Sequence, residues 1–192
     1  LLKGQNDFFG CMVLTPDICF KDNGSGYILG MKDKGFIAAR MFPKTFMHSM
    51  SDYATGKLLK ILEENHIPLM LWHTQVSFDE MDRICSDYPD LIVILEGHDR
   101  KYLYHARDYT ALLLKHKNFY IETHNIVLFR EYETLADICG CDNLLYGSYF
   151  PYITPHFSMH QIVAAEITEK QKKDIFYENS KRVFPILKEV TK

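Results

Sequence analysis

Three histidines stand where apolar runs end. His73 closes "IPLMLWHT" (Ile67–Thr74), His98 closes "LIVILEGH" (Leu91–His98) and His124 closes "NFYIETH" (Asn118–His124). Imidazole is the usual ligand of zinc and other borderline divalent ions, and it titrates close enough to neutrality for proton transfer. One such histidine is more often a loop or core residue satisfied by backbone. Three in successive units point to a shared mouth and to metal binding or acid–base chemistry there. Arg40, late in "GFIAARMFP" (Gly35–Pro43), carries a guanidinium suited to bidentate carboxylate binding, and a structural ion pair accounts for it equally well. Tyr149 sits in "NLLYGSYFP" (Asn143–Pro151), where apolar residues run into a Gly-Ser turn and deliver a phenol to the same end. It either caps the mouth with its hydroxyl on backbone, or binds substrate or donates a proton. His66 and His116 precede strands and are expected as solvated groups at the opposite end; His105 is expected on the surface. His156 and His160 line the mouth or lie outside it.

These residues need strands to deliver them, and six runs supply candidates. They are "FFGCMVLTP" (Phe8–Pro16) and the five segments quoted above. Each is nearly continuous in apolar residues, as expected of strands buried on both faces of a parallel sheet. The segments between them have helical periodicity. "TGKLLKILEENH" puts Leu58, Leu59 and Leu62 on one face, and "SFDEMDRICSDYP" opens with Ser77 and Glu80 in capping-box spacing. "ETLADICG" ends on Gly140, a C-cap signal, and "TEKQKKDIFYENSKRVF" reads as a terminal amphipathic helix with Ile175, Phe176, Val183 and Phe184 inward. Alternating strands and helices predict an α/β fold with parallel strands and right-handed crossovers, in one domain over 1–192. The glycine-rich "KDNGSGY" (Lys21–Tyr27) reads as a loop without the ending of a phosphate-binding loop.

Composition narrows the partners. The chain has 192 residues, 47% hydrophobic, and net charge -3, which suits a globular core and argues against nucleic acid or an anionic membrane surface. No apolar run approaches the roughly 20 residues of a membrane helix. Five cysteines without zinc-type pairing read as free thiols in a reducing compartment, so a cytoplasmic protein is expected. A small-molecule substrate or ligand and self-association are the partners left open.

The ordered motifs resemble the amidohydrolase superfamily, in its amidohydrolase-related branch of metal-dependent hydrolases and decarboxylases. "LLKILEENHIPLMLWHT" is like that branch's helix and strand ending in a ligand histidine. "YPDLIVILEGH" and "KNFYIETH" are like its next two strands, and "DNLLYGSYFP" is similar to its "erllfGSDfP", followed by "IFYENSKRVF". The resemblance implies a (β/α)8 TIM-type barrel with a divalent metal, usually zinc, that activates water for attack on a carbonyl-type carbon. It implies His73 as metal ligand and His98 as the residue that handles water or substrate. The branch has a His-x-His pair on its first strand, and none precedes Phe8 here. Six strands cannot close an eight-stranded barrel, and such barrels run to about 250 residues. The chain is therefore expected to be the C-terminal part of a longer barrel, lacking two units. Tyr149 stands where the branch places a metal-binding aspartate. A phenol with reference pKa about 10 is a poor base at neutrality, so zinc is expected to bind weakly or not at all.

The implied function is a metal-dependent hydrolase or decarboxylase acting on a small carboxylate, amide or lactone. His73 would hold metal, His98 and Tyr149 would serve catalysis, and Arg40 and His124 would touch substrate. The alternative is a barrel that has lost metal catalysis and binds a ligand or partner protein in the same mouth. A metal-free acid–base enzyme using His98, His124 and Tyr149 is a third reading.

Overall fold

The computed structural model describes residues 8–21, 23–97 and 104–187. Its strands are β1 (Gly10–Val13), β2 (Phe36–Met41), β3 (Leu69–Trp72), β4 (Val93–Glu96), β5 (Phe119–Glu122) and β6 (Leu144–Leu145). They form one sheet in the order β1-β2-β3-β4-β5-β6, every neighbouring pair parallel. The six runs are thus adjacent strands in sequence order, as their patterning predicts.

Helices return the chain between strands: α1 (Gly24–Lys32), α2 (Asp52–Glu64), α3 (Phe78–Asp87), α4 (Ala106–Lys115), α5 (Glu131–Ile138) and α6 (Pro155–Ala164). Alternation along each strand separates the two sheet faces. Leu69, Leu71, Val93, Leu95, Phe119 and Ile121 are buried against the helices, beside Leu58, Leu59, Leu62, Met81 and Ile84. Each such side chain contributes roughly 1.5–3 kcal/mol by leaving water. The opposite face is apolar toward the strand starts, where Ile94, Leu145 and Val183 cluster with Met70, Tyr120 and Phe184. That floor leaves only the C-terminal strand ends of this face for polar groups.

Local signals explain the helix ends. Ser77 Oγ accepts from the Glu80 backbone N–H, while Glu80 accepts from the Ser77 N–H, completing the capping box of α3; such a cap stabilises by about 1 kcal/mol. α5 stops before Gly140, whose φ of 77° suits a residue without a side chain. The terminal helix departs from the single regular helix expected. It runs as α7 (Glu169–Lys173), a π-helical turn (Asp174–Glu178) and α8 (Asn179–Val183). Ile175, Asn179 and Val183 are buried together, Asn179 Nδ2 donates to the Cys141 and Leu144 carbonyls, and the Ile175 carbonyl accepts the Tyr146 N–H at 3.0 Å. The widened turn lets one helix both fill the floor and bond the chain leaving β6.

Two expectations are corrected. Part of "KDNGSGY" begins α1 rather than forming a loop. Gly24 serves close packing, since a Cβ there would collide with the Ile18 carbonyl. His116 is buried, not solvated: its Nε2 lies 2.6 Å from Asp82 Oδ1, which Lys115 Nζ also reaches at 2.6 Å. The cause is tertiary, because α3 and α4 pack side by side and bring Asp82 to the end of α4. His66 is exposed as expected. All five cysteines are free thiols, and among the described residues no helix is long and apolar enough to cross a membrane.

Hydrogen bonds from Lys115 and His116 hold the Asp82 carboxyl below the usual carboxylate range. A depressed carboxylate pKa contributes stability above the unfolded pKa, and that contribution disappears as pH falls through the folded one. Asp82→Asn should therefore destabilise at neutral pH by about 1 kcal/mol or less, because the pair is partly exposed and screened. Urea unfolding should find that difference vanishing in acid below the carboxylate range.

Candidate functional site

Polar side chains collect at the C-terminal strand ends of the concave face. Arg40 lies late on β2, and Trp72, Glu96 and Glu122 end β3, β4 and β5. Strand pairing sets Trp72 beside Glu96, and Glu122 beside Leu145. His124 follows in the 3₁₀ turn Thr123–Asn125, and Tyr149 follows β6. These residues, with Gly97, Gly147, Ser148, Phe150 and Tyr152, line a cavity of about 450 Å³.

Two buried carboxylates organise its wall, and each has a basic partner. Arg40 Nη2 donates to Glu96 Oε1, with the guanidinium 5.8 Å from the Trp72 ring centre. Glu122 Oε2 pairs with His124 Nδ1, while Glu122 Oε1 accepts the His124 backbone N–H at 3.0 Å. If Nδ1 carries the proton in that pair, Nε2 is left as an acceptor, and it is buried with no hydrogen-bond partner among the described residues. Gly147 permits this packing, since a Cβ there would overlap the Glu122 carboxylate. The glycine of "GSYFP" is thus explained by the carboxylate beside it.

Tyr149 lies parallel over His124, with ring centres 4.4 Å apart and planes 6° from coincident. Its φ of 52° places a bulky residue in the left-handed region, at a cost of roughly 1–2 kcal/mol. The turn holds it there: its carbonyl accepts N–H groups of Tyr152 and Ile153 at 3.0 and 3.1 Å. Aromatic stacking of this kind returns about 0.5–1.5 kcal/mol, so part of the strain is offset within the site. Burial pushes the Glu96 carboxyl above the usual range, against the opposing pull of Arg40. Burial also raises the Cys11 thiol, near Arg40 and Glu96, to about 11. Cys11 is therefore a neutral thiol at physiological pH.

Of the residues singled out from sequence, Arg40, His124 and Tyr149 meet in the cavity. His98 falls outside the described residues. His73 directly follows β3 and its N–H donates to the Glu96 carbonyl at 3.0 Å, but it is not among the cavity's lining residues; its ring centre lies 6.3 Å from that of His105. His156 and His160 line a separate apolar groove on α6 with Phe157 and Met159. Sequence reasoning passed over Trp72, Glu96 and Glu122. A signal existed for the acids, because each is a carboxylate near the end of an otherwise apolar strand.

The donor set among the described residues does not fit a divalent ion. Among the described residues no group of three or more His, Cys, Asp or Glu could hold one. Glu96 is committed to Arg40, Glu122 to His124 Nδ1, and Tyr149 brings an aromatic ring rather than a carboxylate.

Residues 31–186 match the sequence model of the family described as Amidohydrolase. The chain belongs to the amidohydrolase family. No curated protein matches this amidohydrolase, but solved structures do. An uncharacterized TIM-barrel protein from Bordetella bronchiseptica superposes with a TM-score of 0.75 at 16% identity, over 95% of this chain and 68% of that one. 4-Oxalomesaconate hydratase from Rhodopseudomonas palustris gives 0.65 at 19% identity, over 85% and 61%. A dihydroxybenzoic acid decarboxylase from Polaromonas sp. JS666, with bound manganese and the inhibitor 2-nitroresorcinol, gives 0.70 at 13% identity, over 97% and 72%. At these identities the likeness establishes the fold: the six parallel β/α units form part of a TIM barrel. The chain spans 61% to 72% of the length of the last two.

The Arg40–Glu96 pair is the first target for mutation. Arg40→Met leaves a buried carboxylate without its cation, and should cost about 2–3 kcal/mol, below the 3–5 of a fully buried pair because Arg40 is partly exposed. The double variant Arg40→Met/Glu96→Gln should recover at least half of that loss in denaturant unfolding. Simple addition of the two single-variant costs would show that the pair contributes no coupling.

Proposed function

We propose that this amidohydrolase is a hydrolase or decarboxylase of small carboxylates, working in the cavity at the C-terminal strand ends. The observation that supports it most is the buried Glu122–His124 pair at the cavity wall, close to the guanidinium of Arg40. The similar solved structures point the same way by their names, which include 2,6-dihydroxybenzoate and 5-carboxyvanillate decarboxylases. Arg40 donates from Nη2 to Glu96, which leaves Nη1 to anchor a substrate carboxylate. Trp72, Tyr149 and Tyr152 supply flat apolar surface for a planar substrate. Glu122 fixes the orientation of the His124 ring, so Nε2 is the atom that takes up or delivers the proton. In decarboxylation the ring would start as the imidazolium, whose Nε2–H passes its proton to the carbon as the bond to the departing carbon dioxide breaks; in hydrolysis the neutral ring would take a proton from water at Nε2. His98, two positions beyond Glu96, is proposed to touch substrate or water. Free thiols are compatible with a cytoplasmic setting.

A second reading is a barrel that binds such a ligand without turning it over. It is favoured by the misfit of the donor set to a divalent ion and by Tyr149 at the aspartate position of the resemblance. One experiment separates the two. A panel of hydroxybenzoates and lactones is assayed for turnover and, by calorimetry, for binding, with wild type and His124→Ala. The first reading expects turnover that falls at least about 100-fold in His124→Ala, the usual worth of a general acid or base. Binding without turnover supports the second reading. Absence of both in the complete protein would sink the small-carboxylate assignment.

A further inference from the structure

We infer that Arg40 is the resident cation of this cavity and stands in it in place of a divalent metal ion. This goes beyond the substrate reading and does not depend on it. Two carboxylates, Glu96 and Glu122, are buried at one wall, and buried carboxylates require positive charge nearby. A divalent ion would satisfy both at once. Here each is already compensated within the chain, Glu96 by Arg40 and Glu122 by His124 Nδ1.

The guanidinium is a fixed charge. It stays protonated at every accessible pH, and it is placed by β2, by Trp72 at 5.8 Å and by Met70 Sδ at 4.0 Å from Nη2. Its Nε is buried without a partner among the described residues, although the side chain as a whole is partly exposed. A metal ion entering the same cavity would meet this charge across a poorly screened distance. It would also have to break the Arg40–Glu96 ion pair and the Glu122–His124 hydrogen bond to gain ligands. Tyr149 adds to the exclusion, because its ring covers the His124 face and offers no negative charge. The ligand class that suits a guanidinium is an organic oxyanion, bound by hydrogen bonds rather than by coordination.

The test uses Mn²⁺ and Zn²⁺ alone as probes, on the full-length protein, with elemental analysis after dialysis and calorimetric titration as readouts. Wild type should retain well under one equivalent of either metal. Arg40→Ala/Tyr149→Asp, which removes the cation and supplies a carboxylate, should bind at least about tenfold more tightly than Tyr149→Asp alone, because only the double variant relieves the charge repulsion. Circular dichroism confirms the fold of each variant. If the double variant does not fold, Tyr149→Asp decides by itself: substoichiometric metal supports the inference, and a full equivalent with Arg40 in place overturns it. A full equivalent in wild type, or equal affinity of the single and double variants, also overturns it.

Discussion

Glu96 and Glu122 end adjacent strands on the same face of the sheet, and both are withdrawn from water. A carboxylate in that position costs several kcal/mol unless it is paired and hydrogen-bonded. Most of the mouth can be understood as the answer to that cost. Arg40 lies two strands from Glu96 and reaches it across Trp72. His124 lies two residues after Glu122 and turns back on it through both ring and backbone. Gly147 has no side chain where Glu122 needs room, and the turn after it carries Tyr149 onto the imidazole. The pairings keep the site polar without leaving an uncompensated charge.

The rest of the sheet makes this concentration of polarity affordable. Its helix-covered face is apolar along its whole length, and its open face is apolar wherever α8 covers the floor. The π-helical turn is part of the same arrangement. It frees the Ile175 carbonyl for Tyr146, so the helix that fills the floor also positions the chain that leads to Tyr149. Floor and mouth are therefore mechanically joined through β6.

The relation to the similar solved structures is one of shared scaffold. The parallel β/α order is preserved at identities below 20%, since it rests on alternation and apolar burial, which many sequences satisfy. In the mouth, Tyr149 contributes an aromatic ring and no negative charge, and the two buried carboxylates are paired with Arg40 and His124.

The elements were legible because their signals are local. Continuous apolar runs, the Ser77–Glu80 cap and the glycine after α5 each act over a few residues, and strands, helices and their order followed from them. The ends of strands were legible too, which is why Arg40, His124 and Tyr149 were expected at the C-terminal side, along with His73, which does not line the cavity. Partnership was not. Arg40 and Glu96 are 56 positions apart and Asp82 and His116 are 34 apart, so no periodicity couples them. The sequence by itself determined that charged and aromatic groups would reach the C-terminal side of a parallel sheet. Only the tertiary structure decided which charges neutralise one another there, because that depends on distances set by strand register and helix packing.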